Sequence, residues 1–414
     1  MTNAEDKTKK AGKSAVGIFF EEVSRSSLVI PVLAIFSGLL LGGVIVGLSS
    51  ENVYTMWAVS PIQAIGNGLK AAWESYVTLF SGSFGSPAKM IAAIQGGDGL
   101  AIRRAFNPLF ESLVKSTPYI FGGLAVALGF RSGLFNIGVE GQIFMGGIFS
   151  VWVGYTFIGL PAIIHLPLAF LAGALGGALW GFVPGLLKAK TGGHEVINTI
   201  MMNYIAINIV SFLLNGPMKD PNPLNVIART PMIADGARIP PIFEGFRLHW
   251  GFVLALVVAF FIWWLLWKTT LGFEIRTAGA NPDAARYAGI NVGRTIVLSM
   301  AFSGALAGLA GAVEVTGLNF RHELGFSSGY GFDAIAIALL GKTHPLGVVL
   351  ASILFGAMRN GATRMQFLTQ IPVDVISVIQ ALILLFVAAD AIIRYIYRIR
   401  TSEERMVLTR GWGG

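Results

Sequence analysis

The sequence predicts an all-α, polytopic integral membrane helical bundle with about ten transmembrane helices. Three observations carry that prediction. Of the 414 residues, 54% are hydrophobic and only 13% are charged, about half the charge of an ordinary soluble domain. Mean hydropathy is +0.68. The apolar residues also gather into runs long enough to cross a hydrocarbon core, which takes about 20 residues of helix. This combination excludes intrinsic disorder and argues against a soluble enzyme. The 52 glycines exceed the usual share without a collagen period, and close helix packing in lipid is the cause to expect. Cysteine is absent, which excludes disulfides and thiolate-ligated metal sites.

Residues 1–26 are polar and basic, with Lys7, Lys9, Lys10, Lys13 and Arg25. The apolar stretch that follows is long enough to span a bilayer and no small-residue cleavage site comes after it. The segment therefore reads as a cytoplasmic extension and not as a cleaved signal. The transmembrane domain covers 27–395. Its spans fall at about 27–48, 114–130, 134–157, 162–187, 196–215, 248–267, 295–316, 331–341, 345–362 and 374–394. The eighth is too short for a full crossing unless it is broken or partly extended. A nine-span alternative makes 331–341 re-entrant and places the C-terminus outside. The basic tail, with Arg394 just before 396–414 and Arg398, Arg400, Arg405 and Arg410 within it, favours ten spans with both termini in the cytoplasm. The net charge of +8 is thus read as membrane sidedness, and no nucleic-acid partner is expected.

Two long segments, 49–113 and 216–247, fall outside. In the first, Ile62, Ile65, Leu69, Ala72, Trp73, Tyr76 and Phe80 recur at helical spacing, with Lys70 and Glu74 on another face. This is a helix lying in the outer interface, or one packed on the protein's own outer surface. Within the spans, Gly173, Gly177, Gly181 and Gly185 fall every fourth residue. Gly38 and Gly42, Gly43 and Gly47, and Gly304 and Gly308 repeat the interval. Such spacing lets helix backbones approach closely.

Several patterns resemble chemistry without supplying it. His194-Glu195 opens like a zinc-protease helix, but Asn198 stands where the second histidine is needed. Gly341-Lys342-Thr343 ends like a phosphate loop, but Ala336 replaces its first glycine. The five histidines show no metal-ligand spacing, and no nucleophile–base constellation is visible. No catalytic residue, metal or bound cofactor is expected of this chain. Any energy-driven work would draw its energy from another chain.

The candidate pathway residues lie in Gly133–Gln142, where Phe135, Asn136, Glu140 and Gln142 stand among three glycines at the start of an apolar span. A charge at the centre of a membrane helix costs about 2.5–3.5 kcal/mol on insertion scales, so it faces a cavity or a partner. Asn136 and Glu140 are four apart and would share a helix face. The glycines suggest a local break, which is tolerated only where backbone is buried in protein or lines water. A satisfied structural network and direct cargo contact both fit. Glu314, Asp333 and Asp374 are further acids near or within apolar spans, and proton relays also use buried acids.

The remaining candidate is the cytoplasmic loop 269–294. A short helix begins near Asn281-Pro282-Asp283. Asn281 suits the cap, Pro282 the first helical position and Asp283 the positive helix start, and Gly289 ends it. An exposed capped helix on a hydrophobic protein serves either to dock a cytosolic partner or as an amphipathic linker.

Ala284-Ala285-x-x-x-Gly289 resembles the centre of the coupling-loop motif of ABC-importer permeases, without the later Ile-x-Leu-Pro element. Thr277–Ile290 and Leu134–Gln142 together resemble the branched-chain amino acid, ribose and nucleoside permease family. Leu79–Pro87, Gly123–Leu134, Glu195–Ala206 and Phe332–Leu346 narrow the likeness to the longer permease subunit of bacterial nucleoside importers. The resemblance covers about 27–395. It implies a multi-pass subunit of a bacterial plasma membrane that forms a pore with a second, homologous permease. It also implies a cytosolic ATP-binding subunit using ATP and Mg, and an external binding protein or lipoprotein that delivers nucleoside. The coupling residues would be Asn281, Pro282, Asp283, Ala284, Ala285, Tyr287 and Gly289. A permease for a simple sugar such as ribose, an ion-coupled secondary transporter and an integral-membrane transferase are the competing readings. The coupling-like loop counts against the second, and the lack of an acid or histidine cluster at one face counts against the third.

Overall fold

The computed structural model describes residues 29–222, 227–327 and 329–398. The sequence expectations for 1–26 and for all but the first residues of 396–414 lie outside these. Among the described residues no strand forms, only the isolated bridges Arg229–Glu323 and Pro241–His249. The helices are α1 (Val29–Leu48), α2 (Glu51–Trp57), α3 (Pro61–Phe84), α4 (Pro87–Gly96), α5 (Gly99–Arg131), α6 (Val139–Thr156), α7 (Ala162–Thr191) and α8 (Glu195–Asn215). They continue with α9 (Gly251–Lys268), α10 (Thr270–Ala280), α11 (Pro282–Tyr287), α12 (Val292–Glu314), α13 (Tyr330–Leu340), α14 (Pro345–Thr369), α15 (Asp374–Ala388) and α16 (Asp390–Ile396). Every expected span falls on described helix for most of its length, 134–157 beginning in a non-helical stretch and 374–394 being divided between α15 and α16. Among the described residues, seven helices are long and apolar enough to cross a membrane by themselves. The 11-residue α13 rises only about 16 Å, which settles that its helix alone does not span.

The chain divides into two compact units, Met1–Trp73 with Asp374–Gly414, and Glu74–Val373. In the first, α1 packs on α15 and α16 through Ile30, Ala34, Phe386 and Ile393. A side chain at Gly38 would overlap Ile383, so the small residue sets that approach. Ser37 Oγ and the Tyr397 hydroxyl are 3.0 Å apart.

The second unit is built around α6, α7 and α12, and its closeness comes from the glycine stripe. A methyl group on Gly177 would overlap the Gly304 carbonyl oxygen, and one on Gly308 would overlap that of Gly173. Gly146 meets Gly308 in the same way. With no Cβ at these positions the backbones touch, and dispersion replaces the hydrophobic drive that lipid removes. Helix α5 then joins this core to α13 and α14, Gly122 facing Ala334, and Gly123 facing Ile337 and Val348.

The long segments expected outside the membrane carry defined structure among the described residues. Residues 49–113 form α2, α3, α4 and the start of α5. Helix α5 is 33 residues long, about 50 Å, and so runs well beyond the expected span 114–130. Asp98 caps its start, accepting from the Leu100 and Ala101 N–H groups. Along α3, Ile62, Leu69 and Trp73 are 84%, 69% and 69% exposed. Ala72 and Tyr76 of the same face are half-buried. Residues 227–250 lie as a cap over the end of α12. Thr230 N–H donates to His322 O at 3.0 Å, Ile233 N–H to Phe320 O at 2.9 Å and Ile239 N–H to Thr316 O at 2.9 Å.

Candidate functional site

The segment 132–138 is not helical. Asn136 and Glu140 therefore do not share a helix face: the first lies in an unwound approach and the second in the opening turn of α6. The break at the glycines is where it was expected, and it begins at Gly133, whose φ of +72° favours a residue without a side chain. An unwound backbone must find partners elsewhere, and polar side chains provide them. Asn136 Oδ1 accepts from the Gly138 N–H at 2.9 Å, and its Nδ2 donates to Gln142 Oε1 at 3.0 Å and Ser303 Oγ at 2.8 Å. Ser303 donates in turn to the Ala125 carbonyl of α5 at 2.7 Å. From α8, Asn203 accepts the Gly141 N–H at 2.8 Å and donates to the Ile137 carbonyl at 2.9 Å.

Glu140 does a different job. Its Oε2 accepts the Gly331 N–H at 2.6 Å, at the start of α13, where a helix presents unpaired N–H groups and a partial positive charge. Asn136, Glu140 and Gln142 are buried, while Phe135 is half-buried, its ring 5.1 Å from that of Phe130. These side chains tie α5, α6, α8, α12 and α13 together.

A second polar cluster was only half legible in the sequence. Asp333 on α13 stands out in the sequence as an acid beside an apolar span, whereas its partners do not. Tyr119 of α5 donates from its hydroxyl to Asp333 Oδ2 at 2.6 Å, and Arg359 of α14 reaches the same oxygen at 3.0 Å and the tyrosine oxygen at 2.8 Å. The guanidinium also lies 5.4 Å from the Tyr330 ring centre. The signal for these partners is an arginine near the end of the expected span 345–362, central in the longer α14, which requires an acid. Of the other noted acids, Glu314 is buried at the end of α12 and Asp374 is exposed at the start of α15.

The loop 269–294 carries the expected capped helix and one element more. Asn281 Oδ1 accepts the N–H groups of Asp283 and Ala284, both at 3.0 Å, and Pro282 opens α11. Gly289 follows it with φ of +80°, the left-handed exit that glycine favours. Before it, α10 fills what reads as plain loop, capped by Thr269, whose Oγ1 accepts the Gly272 N–H at 3.1 Å.

Ala285 is not on the outer face: it is buried with Ala278 and Val292. A charge there would disrupt the loop's own packing, so it does not report on a partner. Asp283, Ala284, Arg286 and Tyr287 face outward, Tyr287 being 97% exposed. Helix α10 also abuts the unwound segment, since a methyl group at Gly279 would overlap the Arg131 carbonyl. Arg131 itself donates to the Thr343 carbonyl at 3.2 Å, within the turn that resembles a phosphate loop. The outward-facing loop and the buried polar network are thus neighbours through backbone contact.

The family described as branched-chain amino acid transport system / permease component matches residues 109–388. The chain belongs to that permease family. The permease is 40% identical over 377 residues to the guanosine ABC transporter permease protein NupP of Bacillus subtilis, covering 90% of this chain and 96% of the relative. It is 38% identical over 292 residues to the nucleoside ABC transporter permease protein NupB of Lactococcus lactis, with 68% and 79% coverage. It is 34% identical over 307 residues to the glucose ABC transporter permease protein TsgB13 of Haloferax volcanii, with 72% and 80% coverage. No solved structure matches the permease. With its apolar spans, the permease is a multi-pass membrane subunit of the ABC-transporter type.

Proposed function

We propose that this permease is the pore-forming subunit of an ATP-driven nucleoside importer. The observation that carries the reading is the near full-length match to a guanosine permease, 40% identical over 96% of that relative. On this reading α11 docks on a cytosolic ATP-binding subunit, with Asn281, Pro282, Asp283 and Gly289 shaping the helix, Ala284 and Tyr287 in the contact, and Ala285 anchoring it from within. ATP and Mg belong to that partner. A second, homologous permease completes the pore, and an external binding protein or lipoprotein delivers cargo. Both termini lie in the cytoplasm. Phe135, Asn136, Glu140 and Gln142 frame the pathway. Motion of α11 passes through α10 to the unwound segment 132–138, whose bonds must rearrange for the pore to change access.

A second reading, a sugar permease, is favoured by the 34% identity to a glucose permease. Uptake of labelled guanosine, uridine, ribose and glucose into cells with and without the gene separates the two. Loss of guanosine or uridine uptake alone on deletion supports the nucleoside reading. Loss of sugar uptake alone overturns it.

A further inference from the structure

Glu111, Lys115 and Tyr119 follow one another at four-residue intervals along α5, so they share one face of the helix. At the outer end of that row, Arg247 of the cap pairs with Glu111 at 3.5 Å. At its inner end stands the Tyr119–Asp333–Arg359 cluster, on α5, α13 and α14. The row therefore runs from a solvent-exposed loop to a junction of three apolar helices, Asp333 lying in the first turn of α13. The ion pair at its end is not sealed: the Asp333 and Arg359 side chains are 30% and 32% exposed. The adjacent Phe332 is 53% exposed. Exposed charges at that depth cannot face hydrocarbon, and a water-filled cavity or a protein partner must cover them. The half-buried Glu111 and Lys115, which lead from the cap toward the pair, favour water. The pair carries no net charge, yet it presents both a carboxylate acceptor and guanidinium donors. Tyr119 and Arg359 both bond Asp333 Oδ2, which leaves Oδ1 outside that pairing. Such a station suits an uncharged cargo rich in hydroxyl and amide groups, which can exchange hydrogen bonds with the pair without bringing a charge into the membrane.

We propose that Asp333 and Arg359 contact the cargo in the translocation pathway, and that the half-buried Glu111 and Lys115 of α5 line the wetted approach to them, with Tyr119 fully buried behind the pair. The cargo class is an uncharged nucleoside or polyol. Tyr119 and Glu140 are positioning residues, the first through its hydroxyl on Asp333 and the second through the Gly331 N–H two residues away. This inference rests on the reading of the chain as an importer of uncharged polar solutes.

The chain contains no cysteine, so single cysteines report cleanly on access to water. In the assembled transporter, Phe332→Cys and Lys115→Cys should react with a charged, membrane-impermeant methanethiosulfonate applied from the cap side. Val257→Cys, on the exposed lipid-type face of α9, should not. Guanosine at ten times its Kd should slow the reaction at Phe332→Cys by about tenfold, as simple occupancy requires. Asp333→Asn and Arg359→Gln should each raise the apparent KM for uptake by about tenfold, the loss of one charge-assisted hydrogen bond. Uptake is normalised to the amount of assembled complex in the same preparation, since each variant also strands one charge of the pair. Protection by ribose with none by guanosine would keep this site and overturn the nucleoside reading. Failure of Phe332→Cys and Lys115→Cys to react in the assembled complex would mean that a partner subunit covers the face, and would overturn the inference. Labelling indifferent to nucleosides and sugars alike would overturn it too.

Discussion

Glu140 accepts a short hydrogen bond from the first turn of α13, and that bond defines what its substitution should do. Glu140→Gln keeps an acceptor at the same place, so assembly should be close to normal. Glu140→Ala leaves a buried N–H without a partner, a loss of about 1–3 kcal/mol. It should lower the yield of folded permease, as measured by quantitative gel filtration in detergent. Asn136→Ala should behave alike, since it strips acceptors and donors from three neighbours at once. His249, in the cap, gives a pH test. Its Nδ1 accepts the Gly251 N–H at 3.2 Å. Burial first, and the Arg247 charge second, push its pKa from 6.5 down to about 4. A depressed pKa means the fold holds the neutral ring. That contribution to stability is complete above pH 6.5 and is lost as pH falls through 6.5 toward about 4. Thermal midpoints should therefore drop across that window, and His249→Gln should flatten the drop. An unchanged slope in the variant would remove His249 as its source.

At the scale of elements, the glycine stripe makes the sharpest prediction. Gly177→Val would drive a branched side chain into the backbone of Gly304 and Gly308. Overpacking of this kind costs about 1–3 kcal/mol or more, and the variant should fail to accumulate in membranes, whereas Leu175→Val on the exposed side of α7 should not. The exposed helix α11 makes the opposite kind of prediction. Tyr287→Ala removes a side chain that touches little of this chain, so folding should be unchanged. ATP-driven uptake should fall about tenfold or more, as for an aromatic interface anchor. Normal uptake would reduce α11 to a linker.

What the sequence revealed at this scale follows from what hydropathy measures. It marks residues that face lipid or core, so the apolar segments were legible, while the ends of α5 and α14 lie well beyond their expected spans. It says nothing of helices outside lipid. The polar first half of α5, with Arg103, Arg104 and Glu111, and the short α10 therefore read as loop. Capping was legible because it is local: Asn281, Pro282 and Gly289 behave as their chemistry dictates. The partners Asn203 and Ser303 were not legible, because their contacts with Gly141 and Asn136 join residues 62 and 167 positions apart. Arg359 could have been found by asking what neutralises an arginine inside a span.

At the scale of the whole molecule, one unit, Glu74–Val373, contains the exposed helix α11, the unwound segment 132–138 and the Asp333–Arg359 pair. A push on α11 therefore need not leave that unit to reach the polar residues, and the path through α10 is short. The central claim is that this chain forms a nucleoside pathway opened by ATP hydrolysed elsewhere. The most direct test is uptake into proteoliposomes holding the purified transporter, with ATP and Mg on the motor side and no ion gradient. Labelled guanosine should accumulate only when both ATP and this chain are present, and should ignore proton and sodium ionophores. Accumulation driven by an imposed proton or sodium gradient without ATP would contradict the account.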